Sequence, residues 1–172
     1  MRRDPDAPAP VLVLGLGNLL LRDDGVGLRV LAGLQQRCGG DGRVDFVDGG
    51  TQGLALLPLF EGRRAVLMLD AVGHGAPPGT VHRVDDAFAR APKGNAGADG
   101  GAHQMNAGDL LLAARLLGTV PARAAVVGVE PGVVRTGLEL TPEVEAAVPA
   151  ATAAAAVLLG ELLAAEGMPC TN

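Results

Sequence analysis

Residues 11–34, VLVLGLGNLLLRDDGVGLRVLAGL, constrain the fold more than any other stretch of the chain. The continuous apolar run from Val11 to Leu16 is typical of a parallel strand that is covered on both faces. Gly15 and Gly17 then permit a sharp turn. Apolar residues recur after it at helical spacing, at Val26, Val30, Leu31 and Leu34. A strand, a glycine turn and a helix predict an α/β fold, whose ligands collect at the carboxyl edge of the sheet.

The polar residues of the turn decide between two kinds of ligand. A dinucleotide-binding turn needs a third glycine three residues after Gly17, and that position holds Leu20. The neighbouring carboxylates Asp23 and Asp24 would also repel phosphate groups at the start of the helix. This turn therefore favours a cation over a dinucleotide.

The rest of the chain continues the alternation of strands and helices. Further strands are predicted at Arg43–Val47, 63–72, Thr80–Val84 and Ala124–Val129, and helices at about 52–61, from Asn106 to Gly118 and from Thr141 onward. The strand at Thr80 follows the preceding one too closely for a parallel crossover, so it is predicted to be antiparallel. We expect a single three-layer α/β/α domain over residues 11–166, with a mostly parallel twisted sheet, one short antiparallel edge strand, a flexible tail at 1–10 and a tail at 167–172.

Three details of the helices are also predicted. In the helix at 52–61, Leu54, Leu57 and Phe60 form one apolar stripe, Thr51 is available as a cap, and Pro58 shortens or kinks the helix. In the last helix, Pro149 is expected to cause a bend or a break. A glycine-rich loop is expected over residues 92–102.

Composition excludes several classes of partner. The net charge is −5, from 14 Lys and Arg against 19 Asp and Glu, and no basic run attracts nucleic acid or an anionic membrane. The aromatic residues are three phenylalanines, which form no stacking platform for bases or a flavin, so no resident organic cofactor is expected.

Targeting signals and cysteines predict a cytoplasmic protein. The N-terminal segment lacks the apolar core of a signal peptide, and the apolar run Ala150–Ala165 is interrupted by Gly160 and Glu161, which makes it too short to span a bilayer. Cys38 and Cys170 are far apart in sequence and form no metal-binding or redox motif.

Two carboxylates and a histidine form the candidate site. Asp70 ends an apolar strand at the same sheet edge as Asp24, and the glycine-rich loop leads to His103. Together they suit a divalent metal of borderline softness such as nickel or zinc. Taken singly, Asp24 is also a possible helix cap, Asp70 a partner of a nearby turn, and His103 an exposed loop residue. His82 in the edge strand is interpreted as a surface residue, and His74 is a less favoured ligand.

Six ordered blocks then resemble the nickel-iron hydrogenase maturation endopeptidases. The resemblance covers roughly residues 11–165. The blocks are GLGNLLLRDDGVG (15–27), DGGTQG (48–53), LDAV with Asp70, PPGTV (77–81), HQMNAGDLL (103–111) and VGVEP through LTPEVEAAV (127–148).

This resemblance implies a function and a set of site residues. It implies removal of the C-terminal extension from a [NiFe]-hydrogenase large-subunit precursor after nickel insertion, with the nickel supplied by the substrate and read as the recognition anchor. The nickel contacts fall on Asp24, Asp70 and His103, where the family often has Glu at the first position. Asp24 or Asp70 is expected to activate water, in aspartic-type or nickel-dependent hydrolysis. The chain contains no serine, which excludes serine catalysis.

Residues beside these three are expected to bind the substrate chain. They are Gly17, Asn18, Asp48, Gly49, Gly50, Thr51 and Gln104, although Asn18, Thr51 and Gln104 are equally suited to capping their own turns. Two other functions stay open: a non-catalytic nickel-recognition or assembly chaperone module, and, less favoured, a nucleotide-binding oxidoreductase.

Overall fold

The computed structural model describes residues 8–87 and 105–165. Within them, five strands form one sheet in the order β2-β1-β3-β5-β4. The strands are β1 (Val11–Leu16), β2 (Val44–Gly50), β3 (Ala65–Ala71), β4 (Val81–Val84) and β5 (Arg123–Val129). Neighbours pair in parallel except β4, which is antiparallel to β5 at the edge. The predicted mostly parallel sheet with an antiparallel edge strand is confirmed.

Helical segments cover both faces of this sheet. The α-helices of the described residues are α1 (Val26–Cys38), α2 (Ala107–Leu117) and α3 (Pro142–Ala164), and two 3-10 segments lie at Arg22–Gly25 and Gly53–Phe60. Helices α1 and α3 share a core with one face, whereas α2 and the segment Gly53–Phe60 share a core with the other. The result is the predicted three-layer α/β/α domain.

The alternation of side chains along the inner strands assigns each residue to one of two cores. Val11 and Val13 of β1 point toward α1 and α3, and Leu12 and Leu14 point toward α2. All four are fully buried. An uninterrupted apolar strand is therefore required, because both faces of β1 are covered.

The helix predicted at about 52–61 is a 3-10 segment and not an α-helix. Pro58 lies within it and lacks the N–H that a continuing α-helix needs. The buried residues are Leu56, Leu57 and Phe60, while Leu54 is 57% exposed, so the predicted stripe was wrong at Leu54. Thr51 does not cap the segment, whose preceding residue is Gln52.

The ends of α2 follow the prediction. The Asn106 side chain accepts a hydrogen bond from the Asp109 N–H, and the Asp109 side chain accepts from the Asn106 N–H, which together form a capping box. Gly118 ends the helix with a φ of 71°, in the left-handed region that favours glycine. Helix α3 is continuous from Pro142 to Ala164, so of the bend or break predicted at Pro149 the break does not occur.

Helix α3 is long and apolar enough, by length and composition, to cross a membrane. At 23 residues it is longer than the apolar run Ala150–Ala165, on which the prediction of too short a span was based. One side of the helix, including Ala151, Ala155 and Leu159, is buried in the core shared with α1 and the sheet. Burial against the sheet is what a core helix of a globular domain requires.

Several predicted features lie outside the described residues: the loop 92–102, His103, Gln104 and Cys170. At the start of the described chain, Ala9 is fully buried and its N–H donates to Asp45 Oδ2 at 3.0 Å. The Arg63 guanidinium also contacts the Asp45 carboxylate. The chain therefore packs against the domain before β1 begins.

The first turn of α1 lies directly against the carboxyl ends of β1 and β3. A Cβ atom added to Gly27 would lie 2.4 Å from both the Leu16 and the Leu69 carbonyl oxygens. These are backbone atoms of two inner strands, so neither yields easily. Glycine at position 27 sets how closely the helix approaches the sheet edge.

Gly27→Ala is expected to lower the free energy of unfolding by about 1–3 kcal/mol because the new methyl group overpacks this contact. Gly160→Ala in α3 is the matched control, since no heavy atom lies within 4 Å of its added Cβ. There, alanine is expected to stabilise the helix by about 0.5–1 kcal/mol. Urea unfolding measures both, and a Gly27→Ala protein as stable as the parent would contradict this packing.

Candidate functional site

The strand register brings the carboxyl ends of β1, β2 and β3 to one edge. Gly15 of β1 lies opposite Leu69 of β3 and Asp48 of β2. The Gly17 N–H donates to the Gly50 carbonyl oxygen at 3.1 Å, which joins the turns after β1 and β2. This is the edge at which ligands of parallel α/β sheets bind.

Asp24 reaches this edge from the 3-10 turn Arg22–Gly25. Its side chain is half-buried, and its Oδ2 accepts a hydrogen bond from the Asn18 N–H at 2.7 Å. The residue that precedes α1 is Gly25, with no side-chain cap, so Asp24 does not cap that helix. The carboxylate is thus oriented by the turn after β1.

Asp70 lies within the last part of β3 and is only 5% exposed. Its Oδ1 accepts from the Ala71 N–H and its Oδ2 from the Ala107 N–H, both at 2.8 Å. Ala107 is the first residue of α2, so the carboxyl group faces a helix N-terminus, where negative charge is stabilised. The strand and the helix together fix the orientation of Asp70.

Burial raises the pKa of Asp70 to about 7. The hydrogen bond from the Ala107 N–H opposes this shift, and the negative charge of Asp24 adds to it. Smaller effects come from the Ala71 N–H, which lowers the pKa, and from Asp109, which raises it. Asp24 and Asp70 therefore form an electrostatically coupled pair, one member of which changes charge near neutral pH.

The structure brings together two of the three predicted metal ligands. Asp24 and Asp70 share the edge, whereas His103 lies outside the described residues. Among residues 8–87 and 105–165, no three His, Cys, Asp or Glu side chains are grouped to hold a metal ion. The described part of the site is a carboxylate pair.

The predicted substrate residues Gly17 and Asn18 follow β1, whereas Asp48, Gly49 and Gly50 end β2 at the same edge. Asn18 also stabilises its own turn, because its Oδ1 accepts from the Leu20 N–H at 2.9 Å. Asp48 and Thr51 are exposed, and Gly50 has a φ of 47°. Gly49 is buried, and an added Cβ would lie 2.9 Å from Leu14 Cδ1. A larger side chain at this position would therefore displace the Leu14 side chain of the core beneath the edge.

Asp23 has a different environment from the one its sequence position suggested. It is fully buried, and its carboxylate accepts hydrogen bonds from the Gly132, Val133 and Thr141 N–H groups and from the Thr141 hydroxyl, at 2.6 to 2.9 Å. Burial alone would raise the pKa of Asp23, but these four hydrogen bonds outweigh it and lower the pKa. Asp23 therefore binds the chain itself and not a cation.

Glu130 is the third buried carboxyl group at this edge, and sequence reasoning missed it. It follows β5 at the same edge and accepts from the His74 and Gly75 N–H groups at 2.9 to 3.0 Å. His82 Nε2 lies 2.9 Å from Glu130 Oε2, and the His74 and His82 rings meet edge to face. Burial would raise the pKa of Glu130, but these hydrogen bonds lower it. The sequence did contain a signal for Glu130, because this residue follows an apolar strand as Asp70 ends one.

The chain matches known proteins over most of its length. The sequence model of the hydrogenase maturation proteases matches residues 28–157, a range that contains Asp70 and His103 and begins four residues after Asp24. The hydrogenase expression/formation protein HupD of Thiocapsa roseopersicina is 37% identical over 131 residues, which cover 76% of this chain and 57% of that protein. The hydrogenase 2 maturation protease of Escherichia coli K12 is 36% identical over 137 residues, covering 79% and 82%.

The fold is also that of a solved endopeptidase. The hydrogenase maturating endopeptidase HybD of Escherichia coli superimposes with a TM-score of 0.71 and 30% sequence identity, covering 92% of this chain and 94% of that one. The aligned part of this chain spans 57% and 58% of the length of two HupD proteins that it matches.

Asp24→Asn is expected to lower the pKa of Asp70, because it removes a neighbouring negative charge. Because folding raises the pKa of Asp70, the free energy of unfolding falls as the pH rises from about 4 to about 7. This fall is expected to be smaller in the Asp24→Asn protein. Carboxyl carbon NMR titration of Asp70 measures the first effect and urea unfolding the second. The control is Asp41→Asn, which lies before the amino end of β2. If Asp41→Asn changed the pKa of Asp70 as much as Asp24→Asn does, the pairing of Asp24 with Asp70 would be contradicted.

Glu130→Gln is expected to lower the free energy of unfolding by about 1–3 kcal/mol at neutral pH, because an amide offers one acceptor oxygen to the donors that the carboxylate now satisfies. Since folding lowers the pKa of Glu130, its contribution is present above its ordinary pKa and is lost as the pH falls below it. The exposed Glu139→Gln is the control. Equal stability of both variants at neutral pH would refute the assigned role.

Proposed function

The chain belongs to the hydrogenase maturation protease family, and from this premise we propose that it hydrolyses a peptide bond near the C-terminus of a [NiFe]-hydrogenase large-subunit precursor. The precursor is the macromolecular partner, and the nickel that it already carries is the recognition anchor. Cleavage in this scheme follows metal insertion, because only the loaded precursor offers the anchor.

The observation that carries the proposal is the pairing of a buried carboxyl group with a more accessible one. Asp70 is 5% exposed and has a pKa near 7, while Asp24 is half-buried and charged beside it. A group with a pKa close to the working pH is an effective general base or acid. A buried carboxyl group whose pKa is raised toward neutrality is typical of acid–base catalysis.

Asp70 is the proposed general base. In its ionised form it takes a proton from a water molecule, whose oxygen attacks the scissile carbonyl carbon. The tetrahedral intermediate then collapses, the C–N bond breaks, and the proton passes from the Asp70 carboxyl group to the leaving amine. The N–H groups of Ala71 and Ala107 hold the carboxyl group in one orientation throughout.

Asp24, Asp70 and His103 are the proposed contacts to the nickel of the precursor. Carboxylate oxygen and imidazole nitrogen are suitable donors for a divalent metal of this kind. The turns at Gly17–Asn18 and Asp48–Thr51, which are joined by the Gly17–Gly50 hydrogen bond, are proposed to bind the extended tail of the substrate. Gln104 is proposed to supply a further hydrogen bond to the substrate backbone.

The direct test mixes the purified protein with a large-subunit precursor, nickel-loaded or metal-free, and records the intact mass. Loss of a C-terminal peptide is expected only from the loaded precursor. The value of kcat/KM is expected to rise with pH through about 7, because Asp70 of the free protein must be ionised before it binds the nickel or accepts a proton. Asp70→Asn should slow cleavage by about 100- to 10,000-fold.

Asp41→Asn is the matched control, since Asp41 pairs with Arg43 before the amino end of β2, far from the carboxyl edge, and should cleave normally. Equal cleavage of metal-free precursor would reject the nickel anchor. Binding of loaded precursor with no change of mass would reject the protease and favour the recognition module.

A further inference from the structure

The turn that carries Asp24 is held against β1 by close contacts. Gly17 has a φ of 123°, and an added Cβ would lie only 1.9 Å from the Asp24 carbonyl oxygen. The Asn18 N–H donates to Asp24 Oδ2 at 2.7 Å. On this side, therefore, both the backbone and the carboxylate of Asp24 are in contact with the turn after β1.

The other side of the same turn is bound to the segment 132–141, which leads into α3. The Asp23 carboxylate accepts all four of its hydrogen bonds from that segment. The backbone adds another link, because the Asp23 N–H donates to the Val133 carbonyl oxygen at 3.3 Å. Asp24 is thus clamped between two parts of the chain that are more than 100 residues apart in sequence.

Arg22 shows that tertiary contacts impose the shape of this turn. Its φ of 51° is in the left-handed region, which a non-glycine residue rarely adopts. Its N–H donates to the Gly137 carbonyl oxygen at 3.0 Å, and its Nε donates to the Glu139 carbonyl oxygen at 3.1 Å. A conformation of this kind persists only where the surrounding structure fixes it.

We propose that Asp23 is the positioning residue for Asp24: its buried carboxylate anchors the turn 22–25 to the segment 132–141 and thereby fixes the direction in which the Asp24 carboxylate points. Asp23 acts through Asp24 and does not touch the substrate. The catalytic consequence rests on the proposed function, whereas the geometric one does not.

A carboxylate is the side chain that this position requires. Three backbone N–H groups and one hydroxyl donate to Asp23, and an ionised carboxylate accepts from all of them. An asparagine side chain has one acceptor oxygen, and its NH₂ group would face donors. Asp23→Asn therefore breaks part of the anchor with almost no change in side-chain volume.

The test follows the amide NMR signal of Asn18, which reports on the hydrogen bond to Asp24, in folded Asp23→Asn protein. The signal is expected to shift in the direction seen for Asp24→Asn. With nickel-loaded precursor, kcat/KM is expected to fall by up to about 100-fold, because Asp24 is the proposed contact to the nickel of the precursor and lies beside the proposed base. An unchanged Asn18 signal would overturn the proposal even if the protein cleaves nothing.

Two further variants separate positioning from stability. Leu162→Ala removes a buried side chain about 30 Å along α3 from Thr141, so it destabilises the fold but should leave the Asn18 signal and kcat/KM unchanged. If it reproduces the effects of Asp23→Asn, the proposal is wrong.

Thr141→Val removes one donor to Asp23 and should shift the Asn18 signal less than Asp23→Asn does, in the same direction. No shift would overturn the proposal if Asp23→Asn does not fold.

Discussion

Burial of the Asp70 carboxyl group is the constraint on which the rest of the site depends. A carboxyl group that is 5% exposed needs hydrogen-bond donors, and the neighbouring Ala71 supplies only one. The second donor is the Ala107 N–H at the start of α2. The end of β3 and the start of α2 must therefore meet, and the capping box of Asn106 and Asp109 ensures that α2 begins there.

Three buried carboxyl groups at this edge differ in pKa because they differ in partners. Asp23 accepts from four donors and Glu130 from backbone N–H groups and His82, so folding lowers the pKa of both. Asp70 accepts from two N–H groups and is close to Asp24 and Asp109, so burial dominates and its pKa rises. Asp23 and Glu130 are thereby suited to hold the framework, and Asp70 to exchange a proton.

The sequence predicted the order of elements and the sheet because apolar runs, caps and turn residues report on local structure. It also predicted that Asp24 and Asp70 lie at the same carboxyl edge, where the turn after β1 and the end of β3 place them. It failed where long-range contacts decide: Asp23 has the same local pattern as Asp24, but its partners lie more than 100 residues away. Pro58 correctly predicted a disturbed helix. The sequence did not predict that Leu56 is buried and Leu54 exposed, because this depends on the 3-10 geometry of the segment.

The proposed function depends most on contact between the Asp24 and Asp70 pair and the nickel of the precursor. Nickel-edge X-ray absorption measures this contact when nickel-loaded precursor alone is compared with its rapidly frozen complex with the parent protein. We predict additional oxygen or nitrogen donors to nickel in the complex, and fewer of them in the complex with Asp24→Asn protein. An identical nickel environment in free and bound precursor, with binding verified, would contradict it.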